Sequence, residues 1–106
     1  MKFNVNQKDL QEALSYCQGV IEKRSTLPIL SNVLLDASNS KLTITATDLD
    51  LIFIHNINNV EIFEEGKTTT TSSIMFDIVR KFSSDKKINL FMNNDSKLKL
   101  ESEKSV

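Results

Sequence analysis

The chain has no tryptophan, a single cysteine, a single histidine and a single proline, and only two glycines punctuate its 106 residues. Each scarcity removes a class of function. One cysteine, Cys17, cannot close an intrachain disulfide, and a reducing cytoplasm is the compartment expected of such a chain. One histidine, His55, excludes a paired-histidine zinc site. A Cys17–His55 nucleophilic couple would need a thiol on a helix face to meet a strand residue, so Cys17 reads as a small buried apolar group and His55 as a strand-edge residue. Gly19 and Gly66 stand alone, which rules out a glycine-rich phosphate loop. No apolar run approaches the ~18 residues that a membrane-spanning helix requires. An excess of one charge is also missing: the formal net charge is -1, which argues against a broadly basic nucleic-acid module and makes any such contact local.

What the chain does have is apolar spacing. Hydrophobic residues make up 40% of it, enough for one ordinary core and one domain. Charge is unevenly placed, with five acids and no base in residues 47–65 and eight bases against five acids in residues 66–106. A short alternating start, Lys2 to Val5, leads to Asn6, a good helix N-cap. Leu10, Ala13, Leu14, Cys17, Val20 and Ile21 then follow at the steps of an amphipathic helix. Strands are expected at Ser31–Ser38 and Lys41–Thr47, joined by a turn at Ser38-Asn39-Ser40, then at Leu51–Ile57 and Lys67–Thr71. Ser72 and Ser73 read as caps of a second helix whose buried stripe is Met75, Ile78, Val79 and Phe82. Arg80 and Lys81 close its last turn, where the dipole favours cations. Two final strands, Lys87–Met92 and Lys97–Glu101, flank a turn at 93–96.

The expected order is β-α-β-β-β-β-α-β-β, an α+β arrangement with two helices on one face of a mostly antiparallel sheet. Catalytic chemistry is hard to find on it. Asp48 and Asp50 have no third ligand nearby and read as solvated turn formers. No catalytic residue, metal or cofactor is implied. Outward-pointing Ile52, Ile54 and Phe91 leave room for a non-enzymatic protein-interaction module as an alternative role.

Residues 23–30 read KRSTLPIL, with the only proline inside an apolar tetrapeptide. Taken alone, Lys23 and Arg24 are a solvated cationic loop and Arg80 is a helix end compensating its dipole. In context the run resembles the N-terminal domain of the bacterial replicative DNA sliding clamp, the DNA polymerase III β subunit. The resemblance rests on MKFNV before a helix, on Thr26-Leu27-Pro28-Ile29-Leu30-Ser31-Asn32-Val33-Leu34-Leu35, on the turn Thr47-Asp48-Leu49, and on Phe76-Asp77-Ile78 running to Arg80. These fall in the family's order and span the whole chain.

The resemblance implies a DNA clamp domain of the processivity fold. Residues 1–106 are then the first of three expected domains, with a last strand missing beyond Val106. It implies a non-catalytic processivity factor: a homodimeric ring around double-stranded DNA that tethers the polymerase. The partners implied are the polymerase III catalytic subunit and the clamp loader, at sites mostly outside this region, with no membrane involved. Sliding needs sequence-independent contacts, so phosphates rather than bases are the expected targets. Arg24 and Arg80 match family arginines and are the implied DNA contacts, with Lys23 and Lys81 as neighbours. Leu27, Pro28 and Leu30 are the expected anchors of the loop, since proline fixes φ and biases the preceding residue toward extended geometry. One departure stands out: helix one sets Lys8 against Asp9, Glu12 and Glu22, and Ser73-Ile74 begin helix two where some relatives carry bases, so the helix face is expected to be weakly positive.

Overall fold

A computed structural model describes residues 1–24, 32–47, 52–93 and 97–102, with the side chains of residues 20–24 and 47 outside that description. The loop anchors Leu27, Pro28 and Leu30 and the turn residues Asp48 and Leu49 therefore lie outside the described residues. The elements are β1 (Lys2–Asn6), α1 (Gln7–Arg24), β2 (Asn32–Ser38), β3 (Lys41–Thr47), β4 (Ile52–Ile57), β5 (Val60–Glu64), β6 (Gly66–Thr71), α2 (Ser72–Val79), β7 (Lys87–Met92) and β8 (Leu98–Ser102).

The apolar stripe of α1 behaves as its spacing predicts: Leu10, Ala13, Leu14 and Cys17 are fully buried. Removing a large side chain of this kind from water contributes about 1.5–3 kcal/mol. Alternation in β2 and β3 likewise buries Val33, Leu35 and Ala37 against Leu42, Ile44 and Ala46. The hairpin between them closes in two residues, with φ of 53° at Asn39 and 63° at Ser40. Two positive φ values twist the backbone in the sense that antiparallel strands require. The α1 helix extends through Lys23 and Arg24, so that pair ends a helix and does not belong to the following loop.

The antiparallel strands are shared between two four-stranded sheets, ordered β5-β1-β7-β8 and β4-β3-β2-β6. One strand, β5, was not expected. Its sequence VEIFE sets two apolar residues side by side between acids and is largely exposed, so it carries neither a clean alternation nor a buried run. Pairing with β1, Phe3 opposite Ile62, holds it in place.

The pairing is interleaved. Strand β1 leads into α1 yet pairs with β7, Phe3 lying opposite Leu90. Strand β6 leads into α2 yet pairs with β2, Leu34 lying opposite Thr69. Each β-α-β-β unit thus lends its first strand to the sheet of the other. No sequence repeat announces this likeness; it exists at the level of elements.

Three local expectations are corrected. Thr71, not Ser72 or Ser73, is the α2 N-cap residue and makes no side-chain cap. Ser72 Oγ instead donates to Gln18 Oε1 at 2.8 Å across to α1. Ile78 is 41% exposed, and the α2 stripe consists of buried Met75 and Val79 with Phe76 and Phe82 packed at its margin. Phe91 is half-buried, with the Lys99 ammonium 5.4 Å from its ring centre, because it faces its cross-strand partner Lys99 on β8.

Candidate nucleic-acid interface

The two helices pack side by side, and two hydrogen bonds fix their sense. Gln7 Nε2 at the start of α1 donates to the carbonyl of Val79 at the end of α2, at 2.9 Å. Gln18 on α1 meets Ser72 at the start of α2. The helices are therefore antiparallel. Arg80 and Lys81 sit beside the N-terminal end of α1, whereas Lys23 and Arg24 end that helix roughly 25 Å away, at 1.5 Å per residue. The four predicted DNA-contact residues are split into two pairs at opposite ends of the helix layer. Their two lysine–arginine doublets are not one patch.

Arg80 is the C-cap of α2. Its Nη2 lies 3.4 Å from Asp77 Oδ1, both side chains more than half exposed, and its guanidinium lies 5.9 Å from the Phe76 ring centre. An exposed ion pair of this kind contributes about 0–1 kcal/mol, so a phosphate can displace the carboxylate at little cost. Lys81 is exposed beside it. Between the two ends, the exposed residues of the helices include Lys8, Glu12, Ser15 and Tyr16 on α1 and Ser73, Ile74, Asp77 and Ile78 on α2. That surface carries one base against two acids, so it is more acidic than the weakly positive face expected from the sequence.

Sequence reasoning missed Gln7. Its side chain is 1% exposed, and its Nε2 donates to Gln11 Oε1 at 2.8 Å as well as to Val79. Its Oε1 is buried without a partner among the described residues. The signal was present: Gln7 stands one turn before Leu10 in the apolar stripe, at a position where a polar residue calls for a reason. Its backbone N–H donates to the carbonyl of Lys86 at 3.0 Å, bringing the turn after α2 against the helix start. Beside this junction opens a cleft of about 480 Å³, lined by Gln7, Lys8, Gln11, Glu12, Ser15, Tyr16 and Ser84.

Cys17 and His55 show no chemistry together. Burial pushes the Cys17 thiol up to about 11, so almost no thiolate is present at neutral pH. His55 joins a ring cluster instead, 5.8 Å from Tyr16 and stacked 6.4 Å from Phe53. Among the described residues no group of three or more His, Cys, Asp or Glu is placed to hold a metal ion. No helix among them is long and apolar enough to cross a membrane. Ile52 and Ile54 are exposed as expected, at 70% and 58%.

Known proteins place this geometry. The family described as DNA polymerase III beta subunit, N-terminal domain, matches residues 1–106. The beta sliding clamp of Caulobacter vibrioides strain NA1000 / CB15N is 35% identical over 106 residues, 99% of this chain and 28% of that protein. The beta sliding clamp of Escherichia coli K12 is 38% identical over 80 residues, 76% of this chain and 22% of that protein. A solved structure of Caulobacter crescentus pol III beta superposes with a TM-score of 0.84 at 34% identity, covering 99% of this chain and 28% of that one. The chain thus spans 28% of the length of the Caulobacter relative it matches.

Proposed function

Since the chain belongs to the DNA polymerase III beta-subunit family, as its N-terminal domain, we propose that it serves as one segment of a ring that encircles double-stranded DNA and tethers the replicative polymerase. The observation that carries this reading is a family match spanning residues 1–106, accompanied by a superposition that covers 99% of the chain. On this reading the protein does no chemistry; it is a processivity factor of the bacterial cytoplasm. Three domains from each of two chains close the ring, the polymerase III catalytic subunit and the clamp loader bind it elsewhere, and a further strand completes the β8 side of this domain. One feature supports a contact there: the outer edge of β8 has no strand partner among the described residues, and an open edge favours addition of a strand.

Arg24 and Arg80, with Lys23 and Lys81, are the proposed phosphate contacts, and Leu27, Pro28 and Leu30 the proposed anchors of the loop after α1. A guanidinium grips phosphate bidentately without reading a base, which suits a sliding ring. The test loads the full-length protein onto nicked circular duplex and follows its retention. A ring stays on the circle at physiological salt and leaves when the circle is cut. Loss from both at equal rates would overturn encirclement.

A further inference from the structure

On the β5-β1-β7-β8 sheet, residues turned away from the core alternate with the buried Phe3, Val5, Ile88 and Leu90. Register sets four of them in one row across all four strands. Lys2 on β1 lies opposite Phe91 on β7, Phe91 lies opposite Lys99 on β8, and Phe63 completes the row on β5. Phe63 arrives there through a register shift, because β5 spends an extra residue between Ile62 and Glu64 while β1 takes the single step from Phe3 to Lys2. A bulge of this kind leaves its residue unpaired and re-aims the side chain. Phe63 is 57% exposed, with the Lys2 ammonium 5.9 Å from its ring centre, just as the Lys99 ammonium stands over Phe91. The row therefore reads phenyl, ammonium, phenyl, ammonium. Acids begin in the next row, which the same pairings make Glu61, Asn4, Asn89 and Glu101, and Lys87 is exposed beyond it. Glu101 lies 3.0 Å from Lys99 with both side chains about half exposed, and Glu64 lies 3.2 Å from the Met1 ammonium.

We propose that this row is a docking site for a short acidic, proline-containing segment of a partner protein, bound in extended polyproline form. Charge and spacing carry the inference. The two ammoniums are two strand spacings apart, roughly 10 Å, and a polyproline helix brings residues i and i+3 to one side about 9 Å apart. Carboxylates at those positions meet Lys2 and Lys99, and an apolar side chain between them packs on the Phe91 ring. Aromatic surfaces suit such segments because the polyproline form is set before binding, so little chain entropy is lost. The Lys99–Glu101 pair is exposed and weak, and an incoming carboxylate replaces it readily. Glu61 and Glu101 limit the footprint. A duplex, with a phosphate about every 3.4 Å along each strand, would run over both acids, whereas a short peptide stays within the row. This face is turned away from the core and is not part of the helix layer, so the docking is separate from encirclement.

The test uses the full-length protein and, as probe, the peptide Asp-Phe-Pro-Asp carrying a neutral dye, with Asn-Phe-Pro-Asn as its uncharged counterpart. Two variants alter the row, Lys2→Gln/Lys99→Gln and Phe63→Ala, and Lys67→Gln on β6 is the control. Anisotropy titration of the acidic probe with the parent is expected to give a Kd of about 0.1–0.5 mM. The lysine double variant and the uncharged peptide are each expected to weaken binding at least about fivefold, Phe63→Ala about threefold, and Lys67→Gln less than about 1.5-fold. Circular dichroism melts check that each variant folds. A parent that leaves the acidic probe unbound at about 1 mM protein overturns the docking site. A loss from Lys67→Gln equal to that of the double variant overturns it too, by reducing the effect to net charge. Displacement of the bound probe by an equimolar short duplex shows a general polyanion surface and sinks the peptide assignment. Retention on circular duplex, measured on the same preparations, is expected to be unchanged in the double variant, so a failure of docking and a failure of encirclement read separately.

Discussion

Replacing Gln7 by Glu changes one NH2 to an oxygen and almost nothing in shape, yet it inverts the chemistry of the junction between the helices. The amide Nε2 donates to the Val79 carbonyl at 2.9 Å and to Gln11 Oε1 at 2.8 Å; a carboxylate would present an acceptor to both. Two hydrogen bonds at ~1 kcal/mol each are lost, while the Val79 carbonyl keeps the Phe82 N–H at 3.1 Å. The side chain is 1% exposed, so the new charge is buried and unpaired, and the total is about 3–5 kcal/mol at neutral pH. Gln7→Met loses the same donors but also removes the unpartnered Oε1, and is expected to cost only about 1–3 kcal/mol. The pH dependence separates the two. Burial raises the folded-state pKa of the introduced Glu above its unfolded value of ~4.3. The folded variant then takes up its proton first, so its deficit is full above the folded pKa and shrinks as pH falls through it. Urea unfolding of the 106-residue chain, followed by circular dichroism at about pH 7.5 and about pH 5, reads this directly. The midpoint is expected to drop by roughly 2–3 M at the higher pH and to recover part of that at the lower. A Gln7→Glu midpoint equal to the parent at about pH 7.5, or a deficit that does not change with pH, would refute the role given to this amide.

The two glycines give opposite expectations in thermal melts. A Cβ on Gly66 would stand 2.9 Å from Met1 Cβ and 3.2 Å from Met1 Cα, so Gly66→Ala is expected to cost about 1–3 kcal/mol. Nothing lies within 4 Å of the corresponding position on Gly19 inside α1, and Gly19→Ala is expected to add about 0.5–1 kcal/mol; a melting temperature that moves the wrong way at either site breaks the argument. Cys17, whose thiol burial pushes up to about 11, is expected to resist iodoacetamide at pH 8 until urea is added, and rapid labelling of the folded chain contradicts its placement. Because the folded thiol holds its proton beyond the unfolded value of 9.0, its contribution to stability is complete below that pH and is lost as pH rises toward about 11. In the full-length protein, Arg24→Ala is expected to flatten the salt slope of DNA binding by about one with stability unchanged within ~0.5 kcal/mol. Leu30→Ala is expected to do the reverse, costing about 2–5 kcal/mol and lowering the melting temperature.

Legibility in the sequence followed the range of the interactions. The α1 stripe from Leu10 to Cys17 and the β2–β3 alternation are local patterns, and burial follows them residue by residue. Strand β5 escaped because an exposed edge strand needs no apolar alternation; its order comes from β1, some 60 residues earlier in the chain. The cap at Ser72 was misjudged for a similar reason, since its hydroxyl is committed to Gln18 on another helix. At the candidate interface, the charges at residues 80, 81 and 86 were visible in the sequence, but the approach of this turn to the start of α1, through the Gln7 N–H and the Lys86 carbonyl, depends on packing that no spacing rule encodes. Arg24 can be placed on α1 from the backbone, and Leu27, Pro28 and Leu30 rest on the family resemblance.

The exchange of first strands between the two β-α-β-β units sets a timetable for synthesis. Phe3 of β1 finds Leu90 of β7, so the first strand leaves the ribosome long before one of its two neighbours exists. At ~5–20 residues per second, the wait is roughly 4–18 s. Strand β2 can close its hairpin with β3 at once, but its other edge stays bare until Gly66–Thr71 emerge. Contacts this distant in sequence slow folding relative to a chain of local hairpins. During that interval the nascent chain offers unpaired strand edges beside fully apolar residues such as Val33 and Leu35. A chaperone that shields extended apolar segments is therefore expected to meet this domain during translation and to release it once β7 has docked.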